Sequence, residues 1–240
     1  MKRQHILLSL LVTLFALGAS AAERTINITK PYTTVAAVAG VKVNYVPGSK
    51  NTTVEISGPS DQIDRIVAEV DNGMLCMRPS TDKDGNVRGE TVKDVIVTLR
   101  GPLVADFTVS AGAKIKTKTP VKYTKKTLML SASSGAGIEF ENVTAQQVNI
   151  SASSGADIEV DKLKATSAIV SCSSGADVDL EGLDVRQLVA SSSSGADVSL
   201  KGYAANADLS ASSAASLSAK ELRTDNRNVS SSSMGSVKVR

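Results

Sequence analysis

Six stretches decide the fold: LSASSGAGIEFENV from Leu130, ISASSGADIEVDKL from Ile150, VSCSSGADVDLEGL from Val170, ASSSSGADVSLKGY from Ala190, LSASSAASLSAKEL from Leu209 and VSSSSMGSVKVR from Val229. Successive copies begin 20, 20, 20, 19 and 20 residues apart, a register that chance does not hold. Within a copy, apolar and polar residues alternate, as in Ile150-Ser151-Ala152-Ser153 and Asp157-Ile158-Glu159-Val160. A period of two is the signature of a strand. A helix is disfavoured by the β-branched and Ser content and by a mid-repeat glycine costing about 1 kcal/mol each time. A twenty-residue unit cannot close a core alone, but stacked units bury one another's inner faces. The expected fold is all-β: a single-stranded parallel β-helix, or β-solenoid, with coils of about twenty residues.

Aligned copies form columns. Leu130, Ile150, Val170, Ala190, Leu209 and Val229 make one apolar column, and Ile138, Ile158, Val178, Val198, Leu217 and Val237 another; both are predicted core ladders. Ala132, Ala152, Cys172, Ser192, Ala211 and Ser231 form a small-residue column, so Cys172 replaces an alanine and is expected to be an inert interior thiol. Gly135, Gly155, Gly175 and Gly195 mark a turn with positive φ. Ala214 and Met234 break that pattern, so the last two coils are expected to turn differently.

The outward columns carry the chemistry. Ser131, Ser151, Ser171, Ser191, Ser210 and Ser230 are expected to stack as a hydroxyl ladder, with Ser133, Ser153, Ser173, Ser193, Ser212 and Ser232 beside it. Asp157, Asp177 and Asp197 form a carboxylate column, flanked by Glu159 and Asp179. The candidate ligand-binding face is therefore Ser151, Ser171, Ser191, Asp157, Asp177, Asp197, Glu159 and Asp179. Stacked carboxylates repel by about 1 kcal/mol per pair at high effective dielectric, which solvent or a cation would relieve. The nonapeptide calcium repeat is absent, so no metal or other cofactor is expected. Lys114, Lys116 and Lys118 share the spacing of Glu139 and Glu141, which points to cross-strand ion pairs.

The first half, residues 23–128, lacks a strict period but keeps strand character. Val41–Tyr45 and Thr53–Ile56 alternate around Pro47-Gly48 and read as a hairpin. Ser60 is positioned to cap a short helix with Ile63, Ile66 and Val67 on one face. Asp71-Asn72-Gly73 supplies a tight turn into Met74–Met77, Pro79 to Thr91 is polar enough to be a mobile loop, and strand character returns from Val92 to Leu99. No linker separates the halves, so residues 23–240 are expected to be one domain, irregular over 23–128 and regularly coiled over 129–240.

The chain opens MKRQHILLSLLVTLFALGASAAERT: basic residues, an apolar run of about a dozen residues, then small residues. That order predicts a signal peptide over residues 1–22, cleaved before Glu23, and hence export to the periplasm, cell surface or exterior. The apolar run is short of the roughly 20 residues a spanning helix needs, so no transmembrane anchor is expected. Processing removes Lys2 and Arg3 from 27 Lys+Arg, leaving 25 against 24 Asp+Glu, and also removes His5, the only histidine. A chain without imidazole builds no Ser-His-Asp triad and no His-ligated zinc site. With 3% aromatic residues and no Arg-rich patch, a nucleic-acid partner is not expected. Cys76 and Cys172 are allowed to pair in an exported protein, and their spacing does not decide it.

The exported N-terminus, the strands VKVNYVPGSKNTTVEISG and DNGMLCMRP, and the iterated S-x-SSGA-(D/G)-I/V motif resemble the secreted bacterial family called the putative auto-transporter adhesin head, or GIN domain, over residues 30–239. The resemblance implies a β-helical protein of the cell envelope or exterior. Together with the columns, it points to a non-catalytic module presenting Ser and Asp ladders for adhesion, glycan binding or scaffolding. Its expected partners are a glycan, a cell-wall polymer or an envelope protein. Self-association through the ends of the stack is a further expectation, since Val237–Arg240 ends on a strand whose Lys238 and Arg240 oppose pairing. A polysaccharide lyase or hydrolase using the stacked carboxylates is the alternative.

Overall fold

The computed structural model describes residues 21–82 and 94–240. All but the last two residues of the signal peptide expected over residues 1–22, and most of the polar loop expected over 79–91, lie outside the described residues. The first half supplies β1 (Ala21–Ile28), β2 (Thr34–Val38), β3 (Lys42–Pro47), β4 (Thr52–Pro59), α1 (Ser60–Ile63), β5 (Ile66–Asp71), β6 (Met74–Pro79), β7 (Ile96–Gly101), β8 (Asp106–Ser110), β9 (Lys114–Thr117) and β10 (Val121–Lys122). The repeat supplies β11 (Thr127–Ser133), β12 (Gly137–Ser153), β13 (Asp157–Ser173), β14 (Asp177–Ser193), β15 (Asp197–Ala211), β16 (Ser216–Ser231) and β17 (Ser236–Val239). All the strands belong to one continuous sheet wound into a β-solenoid.

The long strands are bent rather than straight. Along β12 the in-out alternation slips at Glu141-Asn142 and at Gln146-Gln147, where two successive residues face outward, and β13 slips at the equivalent Asp161-Lys162 and Thr166-Ser167. Each slip is a corner, and the turn at Ser154-Gly155 is the third, so every coil has three sides. Parallel pairing then places each residue beside its counterpart twenty positions on, such as Ile138↔Ile158↔Val178 and Leu130↔Ile150↔Val170. Both expected core columns are buried except at the last coil, where Val229 is 46% exposed and Val237 half-buried.

The repeated corner is a type I′ turn. Ser134-Gly135, Ser154-Gly155, Ser174-Gly175 and Ser194-Gly195 all have positive φ, with the Ser near 55° and the Gly near 70°. The turn amide is satisfied by the next coil, as Gly155 N–H donates to Ser174 O at 3.1 Å and Gly175 N–H to Ser194 O at 3.1 Å. Contrary to expectation, the last two coils turn the same way: Ser213-Ala214 have φ 51° and 58°, and Ser233-Met234 have φ 49° and 63°. The ladder of amide bonds continues through them, since Ala214 N–H donates to Ser233 O. Stacking thus holds an alanine where its Cβ is disfavoured, at about 1–2 kcal/mol. Replacing exposed Ala214 by Gly is expected to stabilise the chain by about 0.5–1 kcal/mol, after allowing for the freer unfolded glycine. Urea unfolding checks this, and an unchanged or lower midpoint would refute it.

The first half is irregular in order but shares the coil geometry. β2 and β3 form a coil around the same turn at Ala39-Gly40 and lie parallel on β8 and β9. On its other side β6 pairs parallel with β2, and β7 with β3. Antiparallel strands then close the stack, β5 on β6, β4 on β7 and β1 on β4. The hairpin expected from Val41–Tyr45 and Thr53–Ile56 therefore does not form, because β7 lies between β3 and β4. Ser60 is the first helical residue rather than the cap, α1 is a single turn, and Ile66 and Val67 belong to β5. The tight turn at Asn72-Gly73 forms as expected, with φ 47° and 77°, and joins β5 to β6. Cleavage before Glu23 keeps the β1 pairs from Glu23↔Ser57 to Ile28↔Thr52.

Candidate functional site

Each coil exposes three surfaces, and the sequence-predicted residues occupy two of them. Ser151, Ser171 and Ser191 stand on the side before the type I′ turn, in one row running Thr108↔Ser131↔Ser151↔Ser171↔Ser191↔Ser210↔Ser230. Asp157, Asp177 and Asp197 stand in register on the side after the turn, with Glu139↔Glu159↔Asp179↔Ser199 in the next outward row. The hydroxyl and carboxylate ladders are thus brought together only along the Ser-Gly corner.

The serine side carries a row that the repeat alignment did not single out. Met129, Asn149, Ile169, Val189, Asp208 and Asn228 stand in register two residues from the Ser row. Met129, Ile169 and Val189 are 43%, 38% and 45% exposed, an unusual position for apolar side chains on a regular sheet surface. The amide at Asn228 donates to Asp208 Oδ1 at 2.7 Å, and Asn226 donates to Asn206 Oδ1 at 3.1 Å in the row beyond. Aliphatic patches beside hydroxyls and amides form an amphiphilic, flat surface. The signal was present one residue before each core column position, but its mixed composition hid it.

The acidic side is electrostatically unlike the third side. On the third side, Lys164 pairs with Asp184 at 2.6 Å, and at its corner Lys201 pairs with Glu181 at 2.8 Å, so charge is neutralised coil to coil. On the acidic side, carboxylate follows carboxylate. Burial, followed by the neighbouring Asp197, pushes the Asp177 carboxyl up. Burial likewise raises Asp157, with Lys114 pulling down and Asp177, Glu139 and Asp179 pushing up. Glu159 is raised by burial and then by Asp161, Glu139, Asp157 and Asp179. Asp179 Oδ1 is sealed from solvent without a hydrogen-bond partner. Among the described residues no three His, Cys, Asp or Glu side chains converge as a metal cage. The expected lysine pairing is present at the edge of the ladder, where Lys114 pairs with Glu139 and Lys118 lies 3.9 Å from Glu141.

Carboxyls that hold their protons more tightly in the folded chain contribute stability that is complete below their ordinary range, near pH 4, and is lost as pH rises through the raised values. Lowering pH from 7 toward that range at low salt is therefore expected to raise the melting temperature. Asp177→Asn is expected to gain about 0.5 kcal/mol at pH 7 by removing one in-register repulsion on each side, and to shrink the pH effect. Thermal melts at two pH values test both; a variant no more stable than the parent would contradict the ladder's cost.

Cys172 is buried in the small-residue column, and its Sγ–H donates to Ala176 O at 3.1 Å. Ser192 makes the same bond one coil on, to Ala196 O at 2.8 Å. Burial, with Asp177 and Asp197 nearby, pushes the Cys172 thiol up to about 12, the opposite of what a reactive thiolate needs. Cys76 and Cys172 are both free.

Comparison with known proteins agrees with this architecture. The pattern of the family described as "Putative auto-transporter adhesin, head GIN domain" matches residues 31–161 and 148–240. No curated protein matches the chain significantly. A putative adhesin from Bacteroides fragilis NCTC 9343 superposes with a TM-score of 0.71 at 17% identity, covering 93% of this chain and 98% of that one. A putative adhesin from Parabacteroides distasonis ATCC 8503 gives 0.66 at 14% identity, covering 92% and 98%. A putative lipid binding protein from the same strain gives 0.65 at 15% identity, covering 92% and 96%. At these identities the likeness is one of fold.

Proposed function

The chain belongs to the family described as "Putative auto-transporter adhesin, head GIN domain", and from that premise we propose that it is a non-catalytic module of the cell envelope whose outward ladders bind a glycan or wall polymer. The observation that carries this is the contrast between sides. A repeat able to set Lys beside Asp, as its third side does at Lys164 and Asp184, instead stacks carboxylates here at a cost in stability. Residues kept against stability are characteristic of binding surfaces. The neighbouring row of hydroxyls, amides and aliphatic groups suits the mixed polar and C–H surface of a saccharide, and the spacing of about 4.8 Å between coils gives a rigid, repeating template. No helix among the described residues is long and apolar enough to cross a membrane. The five acids stand in unbroken rows on an open side, so nothing favours the alternative of a lyase or hydrolase.

Glycan-array and wall-polymer binding by the folded chain tests the proposal, with an Asp157/Asp177/Asp197→Asn triple variant beside it. Binding that weakens about tenfold or more in the variant is expected. Silence across the array and the wall polymers, or binding of uncharged glycans that is indifferent to the triple substitution, would overturn it.

A further inference from the structure

The side that carries the acid ladder does not begin with acids. Ahead of it, toward β7, parallel register sets Lys42 beside Lys114 and Asn44 beside Lys116. Gly137 and Glu139 follow on one flank, and Ile96 and Thr98 precede on the other. Neighbouring parallel strands lie about 4.8 Å apart, so three ammonium groups share one small patch. Like charges in register are destabilising. Only Lys114 is relieved: its stem lies over Gly137, which has no side chain to block it, and its ammonium pairs with Glu139. Lys42 and Lys116 have no carboxylate partner among the described residues. The lysines, Asn44, Ile96 and Glu139 line a depression of about 100 Å³. A single water needs only about 10–15 Å³ of such space, so the depression has room for a small polyatomic oxyanion.

We propose that this depression binds the pendant oxyanion, carboxylate or sulfate, of an acidic polysaccharide. Lys42 and Lys116 flank the anion diagonally, and the Asn44 amide offers it a neutral donor. The ring that bears the group rests on Ile96, Thr98 and Asn44, which present aliphatic, hydroxyl and amide surface together. Charge fixes the polarity of binding, because an acidic chain is repelled from Glu139 and the ladder beyond it. It leaves the depression across β7 and β4, where Glu55 stands beside Thr98 but is already paired with Arg100 at 3.1 Å, so that path carries no net charge. The site uses none of the ladder carboxylates and stands or falls separately from their proposed ligand.

Binding of fluorescent polygalacturonate, dextran sulfate and neutral dextran at low ionic strength tests the site, with variants checked for folding by circular dichroism. One or both acidic polymers are expected to bind, and which of them does identifies carboxylate or sulfate. Lys42→Gln with Lys116→Gln is expected to weaken binding about tenfold, while Lys220→Gln, an exposed lysine elsewhere, changes it less than about twofold. Glu139→Gln is expected to tighten binding about threefold by releasing Lys114, a gain that damaged folding does not produce. Equal binding of neutral dextran, no binding of either acidic polymer, losses equal to that of Lys220→Gln, or no gain in Glu139→Gln would each overturn the proposal. So would inorganic sulfate competing as tightly as the polymer it is carried on. The ladder triple Asn variant leaves this binding intact or stronger, which separates the two sites.

Discussion

Replacing Phe107 with alanine is expected to destabilise the chain by about 3–5 kcal/mol, the range for deleting a fully buried phenylalanine. Phe107 has no exposed surface, and it sits edge-on to Tyr45 at 5.2 Å and to Phe140 at 5.1 Å between ring centroids. The three rings come from three successive coils: β3, β8 and β12. They form the aromatic spine where the irregular first half meets the regular repeat. Edge-to-face pairs contribute about 0.5–1.5 kcal/mol each beyond area burial, so this site combines a cavity with two lost ring contacts. The loss also loosens a hydrogen-bond cluster, since Tyr45 OH donates to Pro102 O at 2.7 Å and accepts from Val104 N–H at 3.1 Å. Tyr123 OH donates to Val104 O at 2.6 Å from the next corner. For a domain of this size about 4 kcal/mol corresponds to a melting temperature lower by roughly 8–16 °C. Thermal unfolding followed by tyrosine absorbance measures it. A shift below a few degrees would mean that the two halves are not packed through this spine, and Phe107→Leu, which fills most of the volume, is expected to recover most of the loss.

What the sequence makes legible follows from how far apart the interacting residues lie. Ile138, Ile158 and Val178 are neighbours twenty residues apart, and a fixed offset converts spatial pairing into visible periodicity. The columns, the inward and outward rows, the corner glycines and the role of Cys172 are all readable for that reason. The first half hides its pairings because the offsets vary: β2 meets β8 across 72 positions but meets β6 across 40. Local alternation therefore suggests β3 pairing with β4, whereas a strand from residues 96–101 separates them. Lys42 stayed hidden for the same cause, being unremarkable until non-local register sets it beside Lys114. The Ser and Asp residues were visible one by one, but their division onto two sides depends on the corner geometry, which a repeat alignment does not contain. The turns of the last coils are not legible in the sequence because a glycine-poor turn looks like a different turn. Stacking on a neighbour with the same φ angles imposes the conformation on Ala214 and Met234 regardless.

Gly202→Ala is expected to cost about 3 kcal/mol or more, combining Gly-only backbone strain with a steric clash. The cause is the one coil of nineteen residues. In β14 the corner runs Leu180-Glu181-Gly182-Leu183, and in β15 it runs Leu200-Lys201-Gly202, with Gly202 standing directly beside Leu183. One corner residue is missing, and the shorter chain must cut across. Gly202 takes φ +121°, where an L side chain is strained, and a Cβ there would lie 2.4 Å from Leu183 O and 2.6 Å from Leu183 N. Those are backbone atoms of the adjacent coil, so no rotamer change relieves the contact and the two coils would have to part. The column Leu163↔Leu183↔Gly202↔Leu222 also loses a leucine at this level, which marks the site as a closure of the chain rather than a packing position. Restoring the missing residue offers the discriminating measurement. Inserting a single Gly after Lys201 returns the coil to twenty residues and is expected to make Gly202→Ala tolerable, because the added residue takes over the corner and Gly202 no longer has to cross it at positive φ. Chemical unfolding of Gly202→Ala with and without the insertion tests this. If the substitution is harmless on its own, or remains equally damaging with the insertion, the nineteen-residue step has a cause other than a deleted corner. A rescue would establish that the solenoid counts corners rather than residues, and that its ladders stay in register on both flanking sides because the shortening is confined to one.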